Sequence, residues 1–261
     1  MGHPADAKVI PPNIQTYTDP IEYKFNSMGF RGEDLTTPAE KKIMVVGCSF
    51  TYGDGLPLED TWGYQFVEIL KAQTGKDVKL YSVAYGGSGI DRCAISLMDA
   101  LHSDFKPDVI IALLPSYSRR IIVERLDGEQ SDNINMILRA GGHGVRVMTS
   151  AYVGLNMSEL DYINRSIAGI QMMYCTAKEM SIPLYTSSWS HDTAELLRMI
   201  PNLKNGILPV SLAHDVSSRN SKYYGDAAVK FKEEIARDLQ HFGPRSHYVF
   251  AVELYDFLKN K

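Results

Sequence analysis

Cysteine is scarce in this chain of 261 residues, with three in all: Cys48, Cys93 and Cys175, widely spaced and without a Cys-x-x-Cys pair. That argues against a disulfide scaffold or a zinc knuckle and for free thiols in a reducing compartment. Long apolar runs are missing, with nothing near the ~20 residues of a membrane span. Basic clustering is missing too. Lys+Arg is 27 against Asp+Glu 31, no basic run exceeds a pair, and the net charge is −4. A nucleic-acid footprint is therefore not supported. Met1 to Lys8 lacks the apolar core of a secretory signal, so a cytoplasmic location is expected. No His pair lies at i, i+4 spacing and no carboxylate cluster stands out, so no metal is expected. Gly53-Asp54-Gly55 lacks the third glycine of a dinucleotide fingerprint, and Gly86-Gly87-Ser88-Gly89 lacks the Lys-Ser/Thr pair of a phosphate loop. No cofactor is expected.

What remains is ordinary globular composition, 44% apolar and 22% charged. The length is about twice a ~150-residue one-domain prior, which single α/β domains routinely reach. Residues 1–40, rich in Pro, Thr, Asn and Asp, read as an extended arm, and 41–261 as one domain. Ile43-Met44-Val45-Val46, Val78 to Ala84, Val109 to Leu114 and Ile182 to Ser187 are short apolar runs bounded by turn signals, as buried parallel strands are. Between and after them, apolar residues recur at helical spacing: Phe66, Ile69 and Leu70 behind an Asp60-Thr61 cap; Ile90, Ala94, Leu97 and Leu101; Leu160 to Ala177; and Ala227, Phe231, Ile235 and Leu239. The stretch from Arg119 to Ser158 reads as an insertion. Strands alternating with helices imply an α/β fold with a parallel sheet covered on both faces.

The first strand delivers Gly47-Cys48-Ser49-Phe50-Thr51-Tyr52-Gly53-Asp54-Gly55 to the carboxyl edge of the sheet, where reactive groups gather in such folds. Gly47 permits a tight turn. Ser49 then falls near the start of the next segment, where free N–H groups favour negative charge. A bare Gly-x-Ser equally suits a turn serine capping a helix. With Thr61-Trp62 downstream, the stretch resembles the first block of the SGNH/GDSL hydrolase family, Gly-Asp-Ser-Phe-Thr-x-Gly, with Cys48 at the Asp position. Asn26-Ser27-Met28-Gly29-Phe30-Arg31-Gly32 is similar to the lead-in of many of these proteins. Tyr81 to Ser88 resembles the second block, whose glycine supplies an oxyanion N–H. The resemblance runs from about Phe25 to Leu239. It implies a three-layer α/β/α sandwich with a flavodoxin-like sheet.

A serine hydroxyl is a weak nucleophile and needs a base, usually His oriented by a carboxylate, together with preorganised oxyanion donors. The resemblance implies the N–H of Ser49, the N–H of Gly86 or Gly87, and an Asn side chain after the third strand. Pro115-Ser116-Tyr117-Ser118-Arg119 has no such Asn, which leaves Ser116 or Arg119 as substitute donors. Losing one donor costs roughly 10²–10³ in rate. The family's closing Asp-x-x-His matches best at Ser218 to Gly225, with Asn220 at the Asp position and Tyr223 at the His position. Tyrosine, with an ordinary pKa near 10, is a poor base at neutral pH. His214, beside Asp215, and His191, after the fourth strand, are the remaining candidates, and each equally suits a surface or cap histidine. His3, His102, His143, His241 and His247 rank below them. Cys48 is expected to pack rather than react.

Two functions are compatible with these residues. One is an SGNH-type serine esterase or acyl hydrolase for small esters or acetylated carbohydrate, with an atypical or degraded triad. The other is an inactive member of the fold that binds carbohydrate through a pocket rimmed by Tyr52, Trp62, Tyr117 and Trp189, or serves as a structural subunit. The Gly-Cys-Ser-Phe-Thr variant is similar to SGNH proteins of tailed phages, which implies virion assembly as a role to weigh. Expected partners are a small ester or carbohydrate and a homo-oligomer or virion assembly, with neither nucleic acid nor membrane.

Overall fold

A computed structural model of the chain describes residues 20–103, 105–119, 158–203, 206–208, 236 and 241–259. All four side chains of Ile43-Met44-Val45-Val46 are buried, so this segment needs cover on both faces. It forms β1 (Lys41–Gly47), inside a parallel sheet of order β2-β1-β3-β4. The other strands are β2 (Val78–Ser82), β3 (Val109–Leu114) and β4 (Leu184–Ser188). Val45 lies opposite Ser82 on one side and Ile111 on the other. Gly206 to Leu208 continues along the outer edge of β4, with Thr186 N–H donating to Gly206 O at 2.7 Å and Leu208 N–H to Thr186 O at 2.8 Å.

The helices are α1 (Ser49–Tyr52), α2 (Trp62–Thr74), α3 (Ile90–His102), α4 (Glu159–Glu179), α5 (His191–Met199) and α6 (Pro244–Leu258). Side chains alternate across a strand. Met44, Val46, Ile110, Ala112 and Leu114 therefore meet Ile90 and Leu97 of α3 and Ile170 and Met173 of α4. Ile43, Val45, Ile111 and Leu113 meet Trp62 and Phe66 of α2 and Phe250 and Leu254 of α6. The result is a three-layer α/β/α sandwich, as the resemblance implies, and its parallel sheet is covered on both faces, as the periodicity implies.

Strand β4 begins later than the apolar run suggests. Ser181 is left-handed (φ 58°), and Ile182 N–H donates back to Ala177 O at 2.8 Å. Those residues close α4, and only then does the chain extend. At its other end α4 starts on a capping box, in which the Ser158 hydroxyl accepts from Asp161 N–H and the Asp161 carboxylate accepts from Ser158 N–H. Helices α5 and α6 were not anticipated. The C-terminal helix expected over Ala227 to Leu239 lies outside the described residues, as does most of the expected insertion. Helix α6 opens on Gly243-Pro244, a favoured N-terminal pair, and buries His247, Phe250, Ala251 and Leu254 at helical spacing.

Candidate active site

Strand β1 ends where the chain turns sharply into α1. A Cβ on Gly47 would lie 2.1 Å from Thr51 Oγ1 and 2.7 Å from Leu113 O, so no larger residue fits there. Gly47→Ala is expected to cost about 2 kcal/mol by overpacking. Adding Thr51→Ala should return part of that loss, and urea denaturation of the single and double variants measures both.

The turn is closed by its own backbone. Cys48 O accepts from Thr51 N–H and Tyr52 N–H, and Ser49 O accepts from Gly53 N–H and Asp54 N–H. This fixes Ser49 as the first residue of α1 at the carboxyl edge of the sheet. Ser49 is buried, and its hydroxyl donates to Cys48 Sγ at 3.9 Å. Among the described residues no imidazole or carboxylate lies within hydrogen-bond distance of that hydroxyl. Cys48 is wholly buried, and its sulfur accepts the Trp189 indole N–H at 3.2 Å. Cys48, Cys93 and Cys175 are all free, and burial pushes the Cys93 thiol up.

Beside this turn runs the second-block turn. Tyr85 N–H donates to Gly47 O at 3.4 Å, and both the N–H and the hydroxyl of Ser88 return to Tyr85 O. Gly87 sits at φ 71°, which favours glycine at the third position of such a turn. Asp54 closes the gap between the two blocks, since a Cβ on Gly86 would meet its Oδ2 at 3.0 Å. Among the described residues the N–H groups of Ser49, Gly86 and Gly87 have no protein acceptor. Two turns that meet at the end of β1 thus present unengaged amides at one edge of the sheet, with the Asp54 carboxylate against Gly86.

The lead-in segment holds the first turn from behind. Arg31 is 2% exposed. Its Nη1 donates to Tyr52 O and Gly53 O, each at 2.8 Å, and its Nη2 to Leu56 O at 2.7 Å. Its guanidinium lies 4.4 Å from the Tyr23 ring centroid and 5.5 Å from that of Tyr52. Gly53 must be glycine to admit it, being left-handed and with a would-be Cβ 2.9 Å from Arg31 Nη1.

The loop after β3 is tied down elsewhere. Ser116 and Ser118 share a hydroxyl pair at 2.8 Å, Tyr117 N–H donates to Thr193 Oγ1 at 2.8 Å, and Tyr117 OH to Glu159 Oε1 at 2.7 Å. Arg119 lies over the Trp189 ring, 4.8 Å from its centroid, and Trp189 packs on Phe50 at 4.8 Å. Phe50 also meets His241 at 4.8 Å and Phe242 at 5.5 Å.

Of the candidate bases, His191 is the first residue of α5, with its side chain 74% exposed and its Nδ1 3.8 Å from Asp192 Oδ1. It makes no contact with Ser49. His214, Asn220 and Tyr223 lie outside the described residues. Of the four aromatics expected to rim a pocket, two belong to the interior. Trp62 is fully buried edge-on to Phe250, and Tyr52 is stacked on Tyr23. Tyr117 and Trp189 remain part-exposed. Among the described residues there is no cluster of metal-ligating side chains, and no helix is long and apolar enough to cross a membrane.

His241 and His247 ranked low on sequence, yet both lie close to this edge of the fold. His247 is fully buried, and its Nδ1 accepts the Trp62 N–H at 3.0 Å. Thr61, the expected cap of α2, instead bonds Leu58 O with its hydroxyl. The first amide of α2 therefore needs an acceptor from elsewhere in the chain, and that need is the signal that points to His247.

No protein-family model and no curated protein matches the chain. Solved structures do. The psychrotrophic esterase EstA of a Pseudoalteromonas species is similar at TM-score 0.50 and 13% identity, covering 85% of this chain and 98% of its own. TesA is similar at TM-score 0.50 and 12% identity, covering 84% and 99%. The lipase Lip_vut3 from a goat rumen metagenome is similar at TM-score 0.51 and 14% identity, covering 83% and 96%. The chain has an SGNH hydrolase-like fold.

Proposed function

We propose that this chain is an SGNH-type ester hydrolase, with Ser49 as the nucleophile and a small ester or acetylated carbohydrate as substrate. The observation that carries the reading is the pairing of the two turns: a buried serine at the end of β1, and the Gly86-Gly87 turn joined to the same strand end through Tyr85 N–H and Gly47 O, where the amides of Ser49, Gly86 and Gly87 have no protein acceptor among the described residues. Ser49 Oγ attacks the acyl carbonyl, and its proton passes to a base. The amides take up the oxyanion, the alcohol leaves with that proton, and water then releases the acid from the acylated serine. His214 and His191 are the proposed bases, and His214 is preferred because the His191 side chain is largely solvent-exposed. Ser116 and Arg119 are proposed as substitute donors, and Asn220 and Tyr223 as residues of the closing loop. His241 joins the candidate bases through its place against Phe50.

One observation favours a second reading. Among the described residues, the Ser49 hydroxyl meets sulfur and no base. That suits a non-catalytic carbohydrate-binding protein, with Tyr117 and Trp189 as the surviving aromatic faces. Hydrolysis of 4-nitrophenyl acetate at pH 7 and pH 9 separates the two. Activity that Ser49→Ala abolishes, and that His214→Ala lowers by about 10² or more, fits the hydrolase reading. Indistinguishable traces from wild type and Ser49→Ala would remove it.

A further inference from the structure

We propose that the Tyr85–Ser88 turn and the first turn of α3 form a subsite for an oxyanion, a carboxylate or phosphate on the ligand, with Arg92 as its cation. Helix α3 is 13 residues long, and its N-cap, Gly89, offers the leading amides no side chain. That end of the helix is electropositive. Arg92 sits in this first turn and is only 9% exposed. The helix dipole opposes a cation at this position, and burial leaves it only limited contact with water.

Among the described residues, the guanidinium nonetheless has neither a hydrogen bond nor an ion pair. It lies over the face of Tyr85, with Cζ 4.5 Å from the ring centroid, and Phe30 also packs on that ring at 4.9 Å. The neighbouring Asp91 directs its Oδ1 to the Arg92 backbone N–H at 2.8 Å. A buried, unpaired cation is strongly unfavourable unless an anion joins it. Stacked by its face, a guanidinium keeps its N–H edges for bidentate binding of a carboxylate or phosphate. Tyr85 leads directly into Gly86 and Gly87, so the anion lies next to the proposed oxyanion turn. The class of substrate that fits carries an acid group close to its ester. That last step rests on the ester-hydrolase reading, whereas the anion subsite does not.

The test is thermal unfolding of the full chain in sodium succinate and, separately, in inorganic phosphate, each against sodium chloride of equal ionic strength. In wild type, at least one of the two anions should raise Tm saturably, by roughly 5 °C at a hundredfold excess over Kd. Which anion acts distinguishes carboxylate from phosphate. Arg92→Met should have a higher Tm than wild type in chloride, since the unpaired charge is gone, and should show no anion response. Arg92→Gln provides the same comparison if the Met variant fails to fold. No shift in wild type, or an equal shift in both chains, overturns the subsite. A wild type that shows the shift but hydrolyses neither 4-nitrophenyl acetate nor mono-4-nitrophenyl succinate loses the hydrolase reading and keeps the subsite. A wild type that hydrolyses these esters without the shift loses the subsite alone.

Discussion

Arg31→Met is expected to lower the unfolding free energy by about 4 kcal/mol, the largest loss expected of any single side chain behind the Ser49 turn. The substitution keeps much of the volume and removes every donor. The carbonyls of Tyr52, Gly53 and Leu56 then lose their charge-assisted partner inside the protein. Gly53 O keeps the Leu56 N–H at 3.1 Å, so the loss falls mainly on Tyr52 O and Leu56 O, and each buried carbonyl left unsatisfied costs about 1–3 kcal/mol. Part of this is offset, because burial disfavours the Arg31 cation and pulls its pKa below the ordinary value, against the attraction of Tyr23, Tyr52, Asp54 and Glu59. For a chain of this size the loss corresponds to a fall in Tm of roughly 10 °C. Arg31→Lys should recover less than half of it, since an ammonium is a point donor and cannot span carbonyls arranged for a planar fork. Urea and thermal unfolding of the three chains check this. A loss under 1 kcal/mol in Arg31→Met would mean that water replaces the guanidinium and that the lead-in is not a clamp on the first block.

The same residue shows how far sequence reading reaches. In the sequence Arg31 is visible only as one letter of a lead-in that resembles those of SGNH proteins. Its work is done through hydrogen bonds to residues 21 to 25 positions away, which no local pattern encodes. Ile43 to Val46 and Val109 to Leu114 were legible because strands buried on both faces must be continuously apolar. The position of Ser49 was legible because a strand that ends on Gly47 must turn at the carboxyl edge of the sheet, and Ser49 begins that turn. Trp62 was not legible. An aromatic residue has the same composition signal on a rim and in a core, and only its packing against Phe250 decides. Helix α6 was missed because its buried face includes a histidine, which interrupts the apolar rhythm at His247. Arg92 was passed over for the opposite reason. A lone Arg on an amphipathic helix reads as a solvated face, and what makes it informative is its burial with no counter-ion among the described residues, a property of the folded chain.

His247 carries the strongest expected pH dependence. Its ordinary pKa is 6.5, and in the fold it is lowered to about 3, chiefly because burial disfavours the charged ring, with smaller electrostatic contributions from the neighbouring His241 and Arg31. Protonation would also cancel the acceptor that Nδ1 offers to the Trp62 N–H at the start of α2. The unfolded chain therefore binds a proton below about pH 6.5 that the folded chain refuses until about pH 3. More protons on the unfolded state means that stability rises with pH. The contribution is fully present above pH 6.5 and is lost as pH falls toward 3. The slope is about 1.4 kcal/mol per pH unit, and the total about 5 kcal/mol. Carboxylates with lowered pKa, such as Asp34 held by Ser27, lose stability in acid as well. The informative quantity is therefore the difference from a variant that cannot titrate. In His247→Asn the side-chain oxygen stands the same number of bonds from the backbone as Nδ1 and keeps an acceptor for Trp62. Wild type should be the more stable chain at pH 7, because Asn leaves part of the ring's volume empty. The gap should narrow by about one proton's slope per unit as both are titrated from pH 6 to pH 4 by urea denaturation. Parallel curves over that range would mean that His247 accepts a proton in the folded state, and that α2 is capped by some other group.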